Sequence, residues 1–163
     1  MNKKLAKQII GSEYGQVFDA AVRESPVSPT LVAVVLTETL KALRRDRVTV
    51  ENVSDEQLLG MFRMMGSEQI TKEAAPEMIS WLASHEGATV EQALEALGLE
   101  RISQDELENI IDELIEDNRQ LLKERKGKAF GILMGLAMNK VRGRTKAKVV
   151  SELVKRKLGS IRD

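Results

Sequence analysis

Apolar positions along the chain recur at intervals of three and four, the period of helices that bury one face. The clearest stripe is Leu107, Ile110, Ile111, Leu114 and Ile115. Ser103 followed by Glu106 predicts a capping box at its start, and Leu121 and Leu122 extend the stripe one turn past Asn118. Ser54 with Gln57, and Thr89 with Gln92, predict two more boxed helices, stopped by Gly66 and Gly98. Ser28 before Pro29 opens a helix running to about Arg44. Its Leu31, Val32, Val34, Val35, Leu36, Leu40 and Leu43 cover most of the circumference, so it should be buried. Two short helices precede it, Lys3 to Ile10 and Glu13 to Arg23, with Ser12 as the expected N-cap of the second. Another starts at Thr71, carries Pro76 in its first turns where proline is tolerated, and ends before Gly87.

The C-terminal part of the chain follows a break at Lys126-Gly127. Lys128 to Arg142 places Phe130, Leu133, Met134, Ala137, Met138 and Val141 on one face, with Gly131, Ile132, Gly135 and Leu136 on the other. A segment apolar nearly all round predicts the central element of a small bundle, and Gly131 and Gly135 would let a crossing helix approach closely. Thr145 is the expected cap of a final helix reaching about Leu158. The pattern therefore predicts an all-α fold of two helical bundles, a multi-helix one over 1–102 and a three-helix one over 103–163.

Composition narrows the chemistry. With no cysteine and a single histidine, His85, the chain has no thiolate zinc site, cysteine nucleophile, histidine metal cluster or Ser-His-Asp triad. Five aromatic residues in 163 are too few for a base-stacking sheet. The longest apolar run, Leu31 to Leu36, is far short of a membrane span, and Met1 to Lys7 lack the apolar core of a signal peptide, so a soluble cytoplasmic protein is expected.

Charge changes the picture more. The net charge is zero, yet residues 1–118 carry 11 Lys/Arg against 22 Asp/Glu, and residues 119–163 carry 14 against 3. A compact basic tail points to an anionic partner, most often nucleic acid, the competing reading being neutralisation within the fold. Five cations crowd the turn between the last two helices: Lys140, Arg142, Arg144, Lys146 and Lys148. The start of the final helix adds backbone N–H groups and the positive end of a helix dipole, which suit a phosphate. Lys123, Arg125, Lys126 and Lys128 form a second basic turn, and Lys155, Arg156 and Lys157 a third patch. Asp112, Glu113, Glu116 and Asp117 fit a solvated helix face, Asn118 an architectural role, His85 a helix C-cap, and Met61, Met64 and Met65 core filling. No P-loop, Rossmann glycine pattern or nucleophile elbow occurs, and no residue set assembles a catalytic site.

The run Phe130-Gly131-Ile132-Leu133-Met134-Gly135-Leu136-Ala137-Met138-Asn139-Lys140-Val141-Arg142-Gly143-Arg144 resembles the G-x-L-M-G-x-x-M-x-x-x-R-G signature of the YqeY-like domain. That domain ends the B and E subunits of tRNA-dependent amidotransferases. Upstream stretches are similar to the archaeal E subunit: Leu5-Ala6-Lys7, Ser28 to Ala33, Ile70 to Ala74, and Ile102-Ser103 with Glu106-Leu107. Thr145-Lys146-Ala147 stands where the bacterial B subunit commonly continues Ala-Asn-Pro, which also favours the archaeal form. The resemblance implies a non-catalytic tail that contacts the body of the tRNA and helps select tRNA(Gln) for conversion of Glu-tRNA(Gln) to Gln-tRNA(Gln). It implies the amidase D subunit as partner of the parent protein, and no cofactor here, with ATP and Mg²⁺ in a catalytic module absent from this chain. Gly135, Lys140, Arg142, Gly143 and Arg144 match the family's motif, and Lys146, Lys148 and Lys128 join them as expected tRNA-binding residues. Two other classes stay open on the residues alone: a protein-docking module of the free-standing YqeY type, and a three-helix DNA-binding domain.

Overall fold

The computed structural model describes residues 1–161, and all regular structure among them is helical. The chain divides into two compact units, Met1–Glu100 and a second beginning at Arg101.

The first unit opens with α1 (Lys3–Ile10) and α2 (Gly15–Glu24). Ser12 does not cap α2 at the N-cap position, which Tyr14 occupies without a side-chain bond. Its hydroxyl instead donates to the Ile9 carbonyl at 2.9 Å and accepts from the Tyr14 N–H at 3.2 Å, stapling the end of one helix to the start of the next. Next, α3 (Pro29–Val34) runs through a π-helical segment, Val35–Thr39, into α4 (Leu40–Arg45). Thr37 donates its hydroxyl to the Ala33 carbonyl at 2.7 Å just where the helix widens, a back-bond that bends helices. Val32, Ala33, Val35, Leu36 and Leu40 are buried as the pattern requires, while Leu31 and Val34 are half-buried.

Both predicted boxes of this unit form. In α5 (Asp55–Gly66) Ser54 accepts from the Gln57 N–H and Gln57 reaches back to the Ser54 N–H; Thr89 and Gln92 do the same for α7 (Val90–Leu97). Gly98 closes α7 in the left-handed conformation at φ 61°. Gly66, in contrast, is the last helical residue of α5, and Ser67 takes the cap position beyond it. A Cβ there would come within 2.9 Å of Pro26 Cδ, so glycine is required for close approach of a neighbouring loop. Between these helices, a short 3-10 turn at Lys72–Ala74 leads into α6 (Ala75–Ser84). Phe62, Met61, Met78, Ile79 and Leu82 form the centre of the core, and Met64 and Met65 are buried with them.

The second unit contains α8 (Gln104–Asp117), α9 (Arg119–Glu124), α10 (Ala129–Val141) and α11 (Ala147–Ile161). It begins two residues before the expected boundary because Ile102 is buried in its core and donates its N–H to the Arg144 carbonyl at 3.1 Å. Leu107, Ile111, Leu114, Leu133, Ala137, Val141, Val150, Leu153 and Val154 are the buried centre, with α10 packed on both α8 and α11. Ile110 and Ile115 flank this core half-buried. Asn118 breaks the long stripe. Its amide donates to the Leu114 carbonyl at 2.8 Å, ending α8, and the chain restarts as α9 with Leu122 buried and Leu121 exposed.

Two expectations for α10 fail. It has an open side: Gly131 and Gly135 are exposed, and a Cβ added at either meets nothing within 4 Å. No helix among the described residues crosses there, because the buried face centres on Ala129, Leu133, Ala137 and Val141, and the glycines fall on the opposite side. Phe130 is 37% exposed at the edge of the helix, under the Lys155 ammonium at 5.6 Å.

Candidate nucleic-acid interface

The turn after α10 is built by the Arg142-Gly143 pair. Arg142 adopts φ −53° and ψ 132°, Gly143 adopts φ 80°, and the Arg144 N–H donates to the Val141 carbonyl at 2.9 Å. These are the marks of a type II turn, whose third position needs a positive φ and so selects glycine. Gly143 and Thr145 are buried, so this turn is fixed from beneath while its long side chains point outward. Thr145 is not the cap of α11. The first carbonyl to accept from that helix belongs to Lys146, bonded to the Val149 and Val150 N–H groups, which makes Lys146 the N-cap residue and sets Thr145 one place outside.

Lys140, Arg142, Lys146 and Lys148 all lie exposed around this turn, and none pairs with a carboxylate among the described residues. Arg144 behaves differently. It is half-buried, and its guanidinium donates to Glu106 at 3.4 Å. That contact explains why the predicted box of α8 is only half made. Ser103 accepts from the Glu106 N–H at 3.2 Å, while the Glu106 carboxylate turns to Arg144. Arg144 therefore ties the turn to the start of α8, through both its carbonyl on Ile102 and its side chain on Glu106. Lys128 does not join the group. It occupies the N-cap position of α10, and the 13-residue helix puts it roughly 20 Å from the turn.

The third basic patch is spent inside the fold. Arg156 donates to Glu108 at 2.7 Å and Lys157 pairs with Asp112 at 2.9 Å, so the carboxylates of α8 meet the cations of α11. Glu108 is held below the ordinary glutamate value by hydrogen bonds from Gln104 and then Arg156. Part of the charge segregation along the chain is thus neutralised across one helix pair. The second basic turn, at Lys123, Arg125, Lys126 and Lys128, has no such carboxylate partners among the described residues.

The remaining candidates are architectural. His85 sits at the C-cap of α6, its Nδ1–H donating to the Trp81 carbonyl at 2.8 Å and its ring stacked on Trp81 with centroids 3.9 Å apart. No group of three or more acidic or histidine side chains able to hold a metal ion is present among the described residues. No helix among them is long and apolar enough to cross a membrane. Sequence periodicity gives no sign of the groove that opens beside α9, since it carries the α8 stripe straight through Asn118; the asparagine itself, polar on an apolar stripe, is the signal of the break.

Comparison with known proteins gives this arrangement a family. The profile of the GatB domain matches residues 16–158, spanning both units. The chain belongs to the GatB domain family. The E subunit of glutamyl-tRNA(Gln) amidotransferase from Thermococcus gammatolerans is 36% identical over 158 residues, covering 97% of this chain and 25% of that protein. The protein of the same name from Aeropyrum pernix is 36% identical over 165 residues, covering 100% of this chain and 26% of that protein. That of Methanocaldococcus jannaschii is 32% identical over 162 residues, 99% of this chain and 26% of its own length. This GatB-family chain therefore spans about a quarter of the length of the curated relatives it matches.

Proposed function

We propose that this GatB-family chain is a non-catalytic tRNA-binding tail of an archaeal Glu-tRNA(Gln) amidotransferase, acting in the cytoplasm. Its second unit grips the tRNA body and favours tRNA(Gln). The observation that carries this reading is the type II turn presenting Lys140, Arg142, Lys146 and Lys148 without carboxylate partners among the described residues, on a base fixed by buried Gly143 and Thr145. Unpaired cations on a fixed loop suit phosphates, which position a nucleic acid without reading its bases. Gly143 supplies the turn and Arg144 braces it against Glu106. Lys128, at the far end of α10, supplies a second and separate phosphate contact. Selection of tRNA(Gln) then comes from the spacing of the two contacts on the folded tRNA, a shape reading suited to RNA. The relatives named above carry tRNA(Gln) in their own names, which supports tRNA over duplex DNA as the polyanion.

ATP, Mg²⁺ and the transamidation chemistry belong, on this reading, to the remainder of a longer protein, which also carries the docking of the amidase D subunit. Titration of labelled tRNA(Gln) and tRNA(Glu) with the chain tests the proposal. Tighter binding of tRNA(Gln) is expected. Equal binding of tRNA and a duplex DNA of matched length would overturn it.

A further inference from the structure

A groove of about 720 Å³ opens in the second unit where the end of α8, α9, the start of α10 and the end of α11 converge. Its floor is aliphatic: Leu122, Ala129 and Leu158 are buried there, Ile115 is half-buried, and Ile161 forms a wall that is 51% exposed. Its rim is cationic. Arg119 shares its guanidinium with Glu116 at 2.8 Å, while Lys123 and Lys126 pair with no carboxylate among the described residues. The volume falls in the range of true binding sites, and apolar wall beside unpaired cation is a combination that water alone serves poorly.

The chemistry of the lining selects the occupant. Among the described residues no serine, threonine, asparagine, glutamine or aromatic side chain lines the groove, so a nucleobase inserted there would find donors only at the cationic rim, no neutral acceptor for its N–H groups and no ring to stack on. An amphipathic helix meets both features. Aliphatic side chains at i, i+3 and i+7 fill the floor, and carboxylates on its flanks reach Lys123 and Lys126. We propose that this groove is the docking site for an acidic amphipathic helix of a protein partner. It lies at the end of α10 opposite to the Lys140–Lys148 turn, so it is separate from that turn, and its rim adjoins Lys128.

The test uses the full chain and a fluorescein-labelled model helix of about 14 residues, with leucines at i, i+3, i+7 and i+10 and glutamates between them. Two matched probes replace the glutamates by lysines or the leucines by serines. Only the acidic leucine probe is expected to bind. K123E/K126E should weaken it about tenfold or more, and I161S several-fold, with R142A unchanged as the control for the other end of α10. All three variants alter exposed side chains, and unchanged thermal melts verify the fold. Equal binding of the acidic and basic probes, retention of affinity in K123E/K126E, or no binding of the acidic probe up to about 1 mM would each overturn the proposal. So would displacement of the probe by a single-stranded RNA octamer that itself loses affinity in I161S, which would give the groove to a nucleotide.

Discussion

Two clusters of cations in the second unit look alike in the sequence and differ in the fold. Lys155, Arg156 and Lys157 are consecutive, yet Arg156 and Lys157 face the carboxylates of α8, and Lys155 lies over the Phe130 ring. Lys140, Arg142, Lys146 and Lys148 surround a turn where the α8 carboxylate of Glu106 is taken by Arg144 and none of the four pairs with a carboxylate among the described residues. Local charge density is equal enough; what differs is whether a neighbouring helix face presents the opposite sign. A basic patch becomes a binding site only where the fold leaves it unneutralised.

Reversing charge sharpens that contrast most. R142E/K146E should lower affinity for tRNA by about a hundredfold at low salt, because each site loses one attraction and gains one repulsion. R156E/K157E, measured in the same anisotropy assay, should change it far less. A comparable loss in both variants would mean that the ion pairs on α11 open to bind RNA and that the contrast is false.

Glycines make a second comparison, one step smaller. Gly143 holds φ 80°, so Gly143→Ala should cost about 1–2 kcal/mol in denaturant unfolding and loosen the turn. Gly135 is exposed in a helix with open space at its Cβ position, so Gly135→Ala should stabilise by roughly 0.5–1 kcal/mol. If both substitutions destabilise alike, α10 has a neighbour on its open side in solution.

Acid should produce the smallest effect. Glu51 is held below the ordinary glutamate value by its 2.7 Å bond from Arg44, and Glu108 by Gln104 and Arg156. A depressed folded value means each contributes stability that is complete above the unfolded value, near pH 4.3, and that fades as pH falls through the folded one. The melting temperature should therefore be flat from pH 7 to about 5 on their account and decline below about 4.3. The Arg156→Gln variant should shrink, without abolishing, the part of that decline due to Glu108, because the larger Gln104 hydrogen bond remains.

The helical fold was legible wherever a local rule acts alone. Ser54 with Gln57 and Thr89 with Gln92 close their boxes; Gln57 keeps its carbonyl oxygen for the Ser54 N–H while its amide N–H donates to the Ala88 carbonyl. Ser103 with Glu106 follows the same rule and completes only half of it, since Arg144, 38 residues on, draws the carboxylate away. Gly66 shows the same limit. Its place near a helix end suggests a stop, but the reason for it is Pro26, distant in sequence, whose Cδ would lie 2.9 Å from any Cβ added at Gly66. The open face of α10 was hidden for a related reason. Apolar residues all round a helix do not say which face the neighbouring helices cover, and here Ala129, Leu133, Ala137 and Val141 are the covered side. The Arg142-Gly143 turn, in contrast, was readable because its demand on φ is local.

The most direct test of the unneutralised turn is the salt dependence of tRNA binding for the wild-type chain and for K140A/R142A/K146A/K148A. Counterion release predicts that the slope of log K against log salt becomes shallower by about 3–3.5 when four phosphate contacts are removed. An unchanged slope with the same affinity would show that these four side chains touch no phosphate, and the grip would have to be placed elsewhere on the molecule.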